Sequence, residues 1–212
     1  MRERGNISVV IVTTALFALV ALLVVLKLTT DLDKAVFSAM KPFAGSTLDS
    51  AMSAITLLGR VDVAVAIAIA AAVLIGRERL VSGLAPLAIF GVIAAVDAVK
   101  SAIGQLRPPA GVARDLQLLP TLLPKTTETY SFPSSHAALA VFLAVVVGNA
   151  APRWRPLLWA IAGAVALSRL YLSKHWLSDV VGGVLLGLVI GELAWLAVTV
   201  IAARKPRRKS GT

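Results

Sequence analysis

Ionisable residues that could do chemistry occur in three short segments of this chain, each at the edge of a long apolar stretch. The first segment carries Lys100 and Arg107, which are seven residues apart. Seven residues are two turns of a helix, so a continuous helix places both side chains on one face, about 10 Å apart along its axis. Two cations arranged in this way can bind one anion. Taken alone, the pair also fits two cations that snorkel to a membrane interface.

The second segment, SFPSSHAALA, has the composition of a helix start. Pro133 suits the first turn of a helix, and Ser134 and Ser135 are small polar residues at positions where backbone N–H groups are free. Such a helix start can bind phosphate through these N–H groups and the helix dipole. His136 lies in the same turn. A lone histidine in this position also fits a capping or interface residue.

The third segment, SRLYLSKHWLSD, joins two further apolar stretches. Its His175 and Asp179 are four residues apart and share one face of any helix that begins near His175. A carboxylate there can accept a hydrogen bond from one imidazole nitrogen, which leaves the lone pair of the other nitrogen free to attack. The pair alone also fits a simple ion pair at a helix start.

The elements that must position these residues follow from composition. Of the 212 residues, 58% are hydrophobic and 15% are charged, and mean hydropathy is +0.87. A soluble domain of this size cannot bury so much apolar surface, and the same composition excludes disorder. The lack of cysteine excludes a disulfide scaffold and a thiolate metal site. We therefore predict a polytopic all-α membrane protein with one domain over residues 1–212.

Apolar stretches along the chain predict six transmembrane helices. The second and fourth are shorter than the roughly 20 residues that a helix needs to cross the bilayer. The first is too long for a cleavable signal peptide and lacks a convincing cleavage site, so we expect it to be retained. The predicted spans are 7–28, 61–75, 80–103, 134–150, 154–172 and 176–203. In the sixth span, glycine recurs every fourth residue, a spacing typical of close helix packing; these residues are Gly183, Gly187 and Gly191.

Basic residues predict the orientation. The net charge of +10 is distributed in short clusters between the apolar stretches, which is typical of the cytosolic side of a membrane and not of a nucleic-acid surface. Eleven Lys or Arg fall on one side when both termini are cytosolic, including the basic tail over 204–212. The longer segments then lie outside. Between the first two spans, Asp31–Gly59 is amphipathic and predicts one or two helices at the outer interface, with Ser46 and Asp49 resembling a capping box.

The loop from Pro109 to Tyr130 is also expected on the outer side. It is rich in leucine and proline. An apolar loop of this kind fits either a segment that dips into the headgroup layer or a packed irregular loop.

These motifs resemble those of the type 2 phosphatidic acid phosphatase superfamily, which includes lipid phosphate phosphatases and the soluble vanadium haloperoxidases. KSAIGQLRP matches the family pattern of lysine, six residues and Arg-Pro through Lys100, Arg107 and Pro108. PSSH matches Pro-Ser-Gly-His, with Ser135 in place of the glycine. SRLYLSKHWLSD matches Ser-Arg, five residues, His, three residues and Asp. The three motifs occur in the family order and with the family spacing.

The resemblance implies a phosphate-binding site. Lys100, Arg107 and Arg169 would supply positive charge around the equatorial oxygens of a transferring phosphoryl group. Ser134 and the backbone of Ser135 would add hydrogen-bond donors. The Gly-to-Ser change at position 135 keeps the backbone N–H, so we do not expect it to abolish activity.

The resemblance also implies the catalytic roles. His175 would attack phosphorus and form a phosphohistidine, and Asp179 would orient its ring. His136 would protonate the departing oxygen and then activate water. No metal and no cofactor are expected, because two histidines and scattered carboxylates make a poor zinc or magnesium site.

The expected function is therefore hydrolysis of a lipid phosphate at the extracytoplasmic face of the plasma membrane. A polyprenyl diphosphate, cleaved to the monophosphate, is the favoured substrate, and a phosphatidate or phosphatidylglycerophosphate is the alternative. The expected partners are the lipid phosphate and the bilayer, not nucleic acid. An anion transporter or a lipid phosphotransferase could use the same cationic site. A transporter needs a polar path to the cytosol, whereas the polar residues of this chain gather at one membrane face. Glu192, deep in the sixth span, is the exception.

Overall fold

The computed structural model describes residues 7–40, 46–109 and 129–204. Regular structure within these ranges is helical, apart from one isolated bridge between Leu106 and Tyr130. The α-helices in these ranges are α1 (Ile7–Val25), α2 (Thr30–Met40), α3 (Ser46–Thr56), α4 (Val61–Glu78), α5 (Ile89–Ile103), α6 (Ser135–Ala150), α7 (Arg155–Tyr171) and α8 (Leu177–Arg204). The all-α prediction is confirmed for this part of the chain.

All six predicted apolar stretches are helical, but they differ in length. Ile7–Val25, Ser82–Ile103 and Leu177–Arg204 are long and apolar enough to cross a membrane. The second of these begins with a 3-10 turn over Ser82–Ala88 that contains Pro86, which cannot donate an α-helical hydrogen bond. Thr47–Gly59 and Val61–Glu78 meet the same criterion together, with a bend of 51° between them. Six crossings stay a prediction, since α6 and α7 have only 16 and 17 residues.

Helix α6 is the centre of the bundle. It is apolar on all sides, as expected for a helix with neighbours all round it. Leu139 and Phe142 pack into one buried cluster with residues of α4, α5 and α8. Val141 and Val145 pack into a second cluster with residues of α7. The N-terminal end of this central helix carries the second predicted motif.

The glycines of α8 bring its backbone against α6. A Cβ added to Gly183 would overlap the backbone oxygen of Ser134, just before α6, and one added to Gly187 would overlap that of Ala138. One added to Gly191 would lie 2.9 Å from the Cβ of Val145. The structural role predicted from their spacing is therefore confirmed. This close packing places the first turn of α8, with Asp179, beside the first turn of α6.

Two helices, α2 and α3, form within the segment predicted to be interfacial. Helix α2 packs against α7 and α8, and α3 packs against α7. Most of the predicted apolar loop at 109–130 lies outside the described residues, as do Arg2, Arg4 and the basic residues that follow Arg204.

Candidate active site

Lys100 and Arg107 do not share a helix face. Helix α5 ends at Ile103, because Gly104 adopts a left-handed conformation with φ +67° and donates its N–H to the carbonyl of Lys100 at 2.9 Å. Arg107 therefore follows a chain reversal, one residue after the bridge at Leu106. The geometry predicted from a continuous helix is wrong. Snorkelling is wrong as well for Lys100, whose side chain is only 4% exposed.

His175 contacts Asp179 from outside the helix that carries the carboxylate. Helix α8 begins at Leu177, two residues after the histidine, so the two residues are not stacked on one helical face as predicted. The contact forms nevertheless, with Nδ1 of His175 3.2 Å from Oδ2 of Asp179. The same oxygen accepts the backbone N–H of Trp176 at 2.8 Å. Asp179 thus both caps the start of its own helix and holds the imidazole.

The other ring nitrogen of His175 faces Arg107. Its Nε2 lies 3.3 Å from Nη1 of Arg107, which also donates to the carbonyl of Lys174 at 3.1 Å. A guanidinium can only donate, so Nε2 accepts and the ring proton of the neutral imidazole is on Nδ1. Burial lowers the pKa of His175 well below its usual range, and the charges of Arg107 and Arg169 lower it further. Near neutral pH the ring is therefore neutral, with its lone pair on Nε2.

The backbone N–H of Ser134 is already hydrogen-bonded, contrary to the prediction. Helix α6 begins at Ser135, and Ser134 is its N-cap. The N–H of Ser134 donates to the backbone oxygen of Asp179 at 2.9 Å, so the prediction that this N–H is free for an anion is wrong. The N–H groups of Ser135 and His136 belong to the first helical turn and have no acceptor within α6.

Two polar atoms at this helix start are buried without a hydrogen-bond partner among the described residues: Oγ of Ser134 and Nδ1 of His136. Buried side-chain polar atoms in native proteins are normally paired, so such atoms call for an explanation. A site that is completed by a polar ligand provides one.

Arg169 and Lys100 complete the cationic part of the site. Arg169 is 6% exposed and donates from Nη1 to Oγ1 of Thr56 at 2.8 Å. The charges of Lys100, Arg107 and Arg169 all act on the imidazoles of His136 and His175. The structure thus brings the predicted cations and both histidines into one site, with Asp179 behind His175.

Helices α2 and α3 hold the third motif through Asp33 and Thr56, which the sequence did not single out, and through Asp49, which it assigned only to a capping box. Asp33 of α2 accepts hydrogen bonds from the backbone N–H and the hydroxyl of Ser178, at 2.8 and 2.7 Å. Asp49 of α3 accepts one from the hydroxyl of Tyr171 at 2.7 Å, and Thr56 accepts one from Arg169. These hydrogen bonds pair polar groups at the start of α8 and at the end of α7.

A weak sequence signal for these residues exists. Asp49, Ser53 and Thr56 are separated by four and three residues, so they form one stripe along α3. A polar stripe on an amphipathic helix is usually read as its solvent face. Ser53 and Thr56 are buried, however, so this stripe faces the bundle.

Metal-binding clusters are not found in the described ranges, where no three His, Cys, Asp or Glu residues are grouped to hold an ion. The site has instead the composition of an anion site, with three cations and two imidazoles.

Comparison with known families identifies the fold and the motifs together. The sequence pattern of the PAP2 superfamily matches residues 79–202, more than half of the chain. The chain belongs to the PAP2 superfamily. The match includes all three motifs described above, so the predicted family is confirmed.

Several curated proteins resemble the chain over one region. An undecaprenyl-diphosphatase from Sulfolobus acidocaldarius is 42% identical over 78 residues, which are 35% of this chain and 37% of that protein. A lipid A 1-phosphatase from Porphyromonas gingivalis is 32% identical over 78 residues, which are 35% of this chain and 18% of that protein. The matched region therefore spans little more than a third of these relatives at most.

One solved structure is similar over nearly the whole chain. It is the PAP2-type phosphatidylglycerolphosphate phosphatase from Bacillus subtilis, with a TM-score of 0.73 and 22% identity. The similarity covers 94% of this chain and 98% of that one. At this identity the comparison shows that the two proteins share a fold.

Proposed function

We propose that this protein is a membrane lipid phosphatase that works through a phosphohistidine on His175, without a metal. The observation that carries the proposal is the placement of one neutral imidazole between Asp179 and Arg107. Asp179 holds the proton on Nδ1, so the lone pair of Nε2 is directed at the cationic side of the site. Phosphoryl transfer needs this combination of an oriented nucleophile and fixed positive charge.

The first step exchanges one contact of Arg107 for another. In the free protein the guanidinium donates to Nε2 of His175. A bound phosphate takes over this donor, which frees the lone pair to attack phosphorus. As the N–P bond forms, the P–O bond to the lipid breaks in line. His136, protonated once the anionic phosphate offsets the positive charge of the site, gives its proton to the departing oxygen. Lys100 and Arg169 stabilise the charge on the equatorial oxygens.

The second step restores the enzyme. His136, now neutral, takes a proton from water, and the water oxygen attacks the phosphohistidine. The N–P bond to His175 breaks and inorganic phosphate leaves. The hydroxyl of Ser134, buried without a partner among the described residues, is a donor for the bound phosphate in both steps.

The proposed substrate is a polyprenyl diphosphate, which is cleaved to the monophosphate. The name of the Sulfolobus relative, an undecaprenyl-diphosphatase, favours this choice. The phosphatidylglycerolphosphate phosphatase that shares the fold keeps a glycerolipid monophosphate as the alternative.

A phosphate-release assay tests the function directly. Purified protein is supplied with polyprenyl diphosphate, polyprenyl monophosphate, phosphatidate or phosphatidylglycerophosphate, with and without a chelator. We expect release from the lipid phosphates, highest for polyprenyl diphosphate and unchanged by chelation. Absence of release from every lipid, or its loss on chelation with recovery on metal addition, would contradict the proposed chemistry.

A groove between α4, α6 and α7 supports a substrate with a long apolar chain. Its volume is about 850 Å³ and its lining is mainly apolar. Leu58 and Ala140 line it near the site, because Gly59 contacts His136 and Ala140 lies one turn after that histidine. Trp154 lines it near the opposite end of the bundle. We propose that the lipid chain lies in this groove.

Filling the groove should weaken binding of the lipid chain without changing the chemistry. We expect Ala71→Phe, on the α4 wall, to raise KM for a long-chain lipid phosphate about tenfold, which corresponds to displacing roughly two methylene groups. KM for a short soluble phosphate ester should not change. Val73→Phe is the matched control, because Val73 is 52% exposed on α4 and lies outside the groove. Equal effects of both variants would argue against the groove as the chain site.

The proposed topology has six crossings, both termini in the cytosol and the site at the extracytoplasmic face. The chain has no cysteine, so single cysteines can report it. We expect a membrane-impermeant maleimide to label Thr129→Cys on intact cells and Arg153→Cys only after permeabilisation. The reverse labelling pattern would show that the topology is opposite to the one proposed.

A further inference from the structure

The turn between α3 and α4 contacts both Arg169 and His136, although it lies outside the three sequence motifs. Helix α3 ends at Thr56 and runs into a 3-10 turn over Leu57–Gly59 before α4 begins. This segment precedes the region that matches the family. We propose that Thr56 and Gly59 are positioning residues, Thr56 for the phosphate-binding Arg169 and Gly59 for the leaving-group acid His136. The proposal rests on the proposed function.

Thr56 fixes the guanidinium of Arg169. Its Oγ1 accepts from Nη1 of Arg169 at 2.8 Å, and both side chains are 6% exposed. Hydrogen bonds that involve a buried charged group are stronger than ordinary ones and are costly to leave unmade. Because Arg169 must hold its planar fork in a fixed direction to bind phosphate, this bond restricts the guanidinium to one orientation.

Gly59 provides the space in which the imidazole of His136 sits. A Cβ at position 59 would lie 2.7 Å from Cγ1 of Val165, 2.9 Å from Cβ of His136 and 3.1 Å from its Cδ2. Val165 is fully buried and cannot move away freely. Any side chain at 59 therefore displaces the histidine relative to the bound phosphate.

The two positions should fail in different ways. Thr56→Val should raise the Kd for inorganic phosphate about tenfold and lower kcat/KM by a similar factor for all substrates, because every substrate carries the phosphoryl group. Thr56→Ser keeps the hydroxyl and should stay within about twofold of wild type. Thr13→Val is the matched control, since Thr13 is also buried but bonds only the backbone of its own helix among the described contacts.

Gly59→Ala should spare phosphate binding and slow departure of the leaving group. An alkyl phosphate needs a proton on its departing oxygen, whereas p-nitrophenyl phosphate does not. In the first turnover, before water is needed, we expect phosphoryl transfer from a lipid phosphate to slow at least tenfold and the burst of nitrophenol to slow less than threefold. Val165→Ala, added to Gly59→Ala, should restore much of the lost rate by making room for the new methyl group. Gly163→Ala is the control, because a Cβ there meets nothing within 4 Å.

A double-mutant cycle separates positioning from a general effect on stability. In an Arg169→Ala background, Thr56→Val should cost nothing further in phosphate affinity. An additive loss, or equal behaviour of Thr56→Val and Thr56→Ser, would overturn the assignment of Thr56. Equal loss of Gly59→Ala on both substrates in the first turnover would overturn that of Gly59. If wild type released no phosphate, the proposed function itself would fail, whereas an active wild type with silent variants would contradict this inference alone.

Discussion

Replacing His175 with alanine should lower phosphate release by about 10⁴-fold or more, the loss expected when the nucleophile of a covalent mechanism is removed. The imidazole is 2% exposed, so solvent cannot supply a nucleophile in the same place without rearrangement. No second neutral imidazole is held by a carboxylate among the described residues. Phosphate binding should persist, because the cations remain.

Labelling of the enzyme provides the measurement. Wild type quenched during turnover of a ³²P-labelled substrate should carry acid-labile, base-stable label on His175, and His175→Ala should carry none. Inhibition by inorganic phosphate should stay within a few fold of wild type, which shows that the site is intact. Turnover above about a tenth of wild type, or label that persists in the variant, would remove the nucleophile assignment.

Asp179→Asn is the matched test of orientation. The amide can still cap Trp176 through its oxygen, but it no longer stabilises the proton on Nδ1 of His175 in the same way. We therefore expect a loss in kcat smaller than that of His175→Ala, with KM nearly unchanged.

Local spacing predicts which residues react, but not every way in which they meet. His175 and Asp179 contact each other because they are only four residues apart, and that separation is readable in the chain. The separation of Lys100 and Arg107 led to a wrong prediction of a shared helix face, because such a face requires an unbroken helix. Gly104 lies between them and ends α5. A glycine after a helical stretch, with Pro108 soon after it, is a recognised stop signal.

Contacts from α2 and α3 are a different case, since the polar stripe of α3 marks candidate residues but no local pattern encodes their partners. Thr56 and Arg169 are 113 residues apart, and Asp33 and Ser178 are 145 apart. Hydropathy predicts where the apolar helices lie in the sequence, because each helix presents apolar side chains to lipid or to its neighbours along its length. Which polar residue of one helix meets which residue of another depends on how the helices pack. The motifs could therefore be predicted, and the contacts that hold them could not.

Replacing His136 with alanine should separate the two halves of the reaction. General acid catalysis contributes about 10²- to 10⁴-fold, so we expect a loss of that size for a lipid phosphate, whose alkoxide leaves slowly without a proton. Phosphate affinity should change little, because the cations and the hydroxyl of Ser134 remain. With p-nitrophenyl phosphate, the first step needs no acid and should stay fast.

Pre-steady-state kinetics resolve this prediction. The second step still needs His136 to activate water, so His136→Ala should release about one equivalent of nitrophenol per site in a burst and then stall as the phosphohistidine. The label should accumulate above the wild-type level and should disappear in His136→Ala/His175→Ala. If the single variant lost only phosphate affinity, His136 would be a binding residue and not the acid. If it turned over nitrophenyl phosphate without a burst, water would be activated elsewhere, and the buried Nδ1 of His136 would need another explanation.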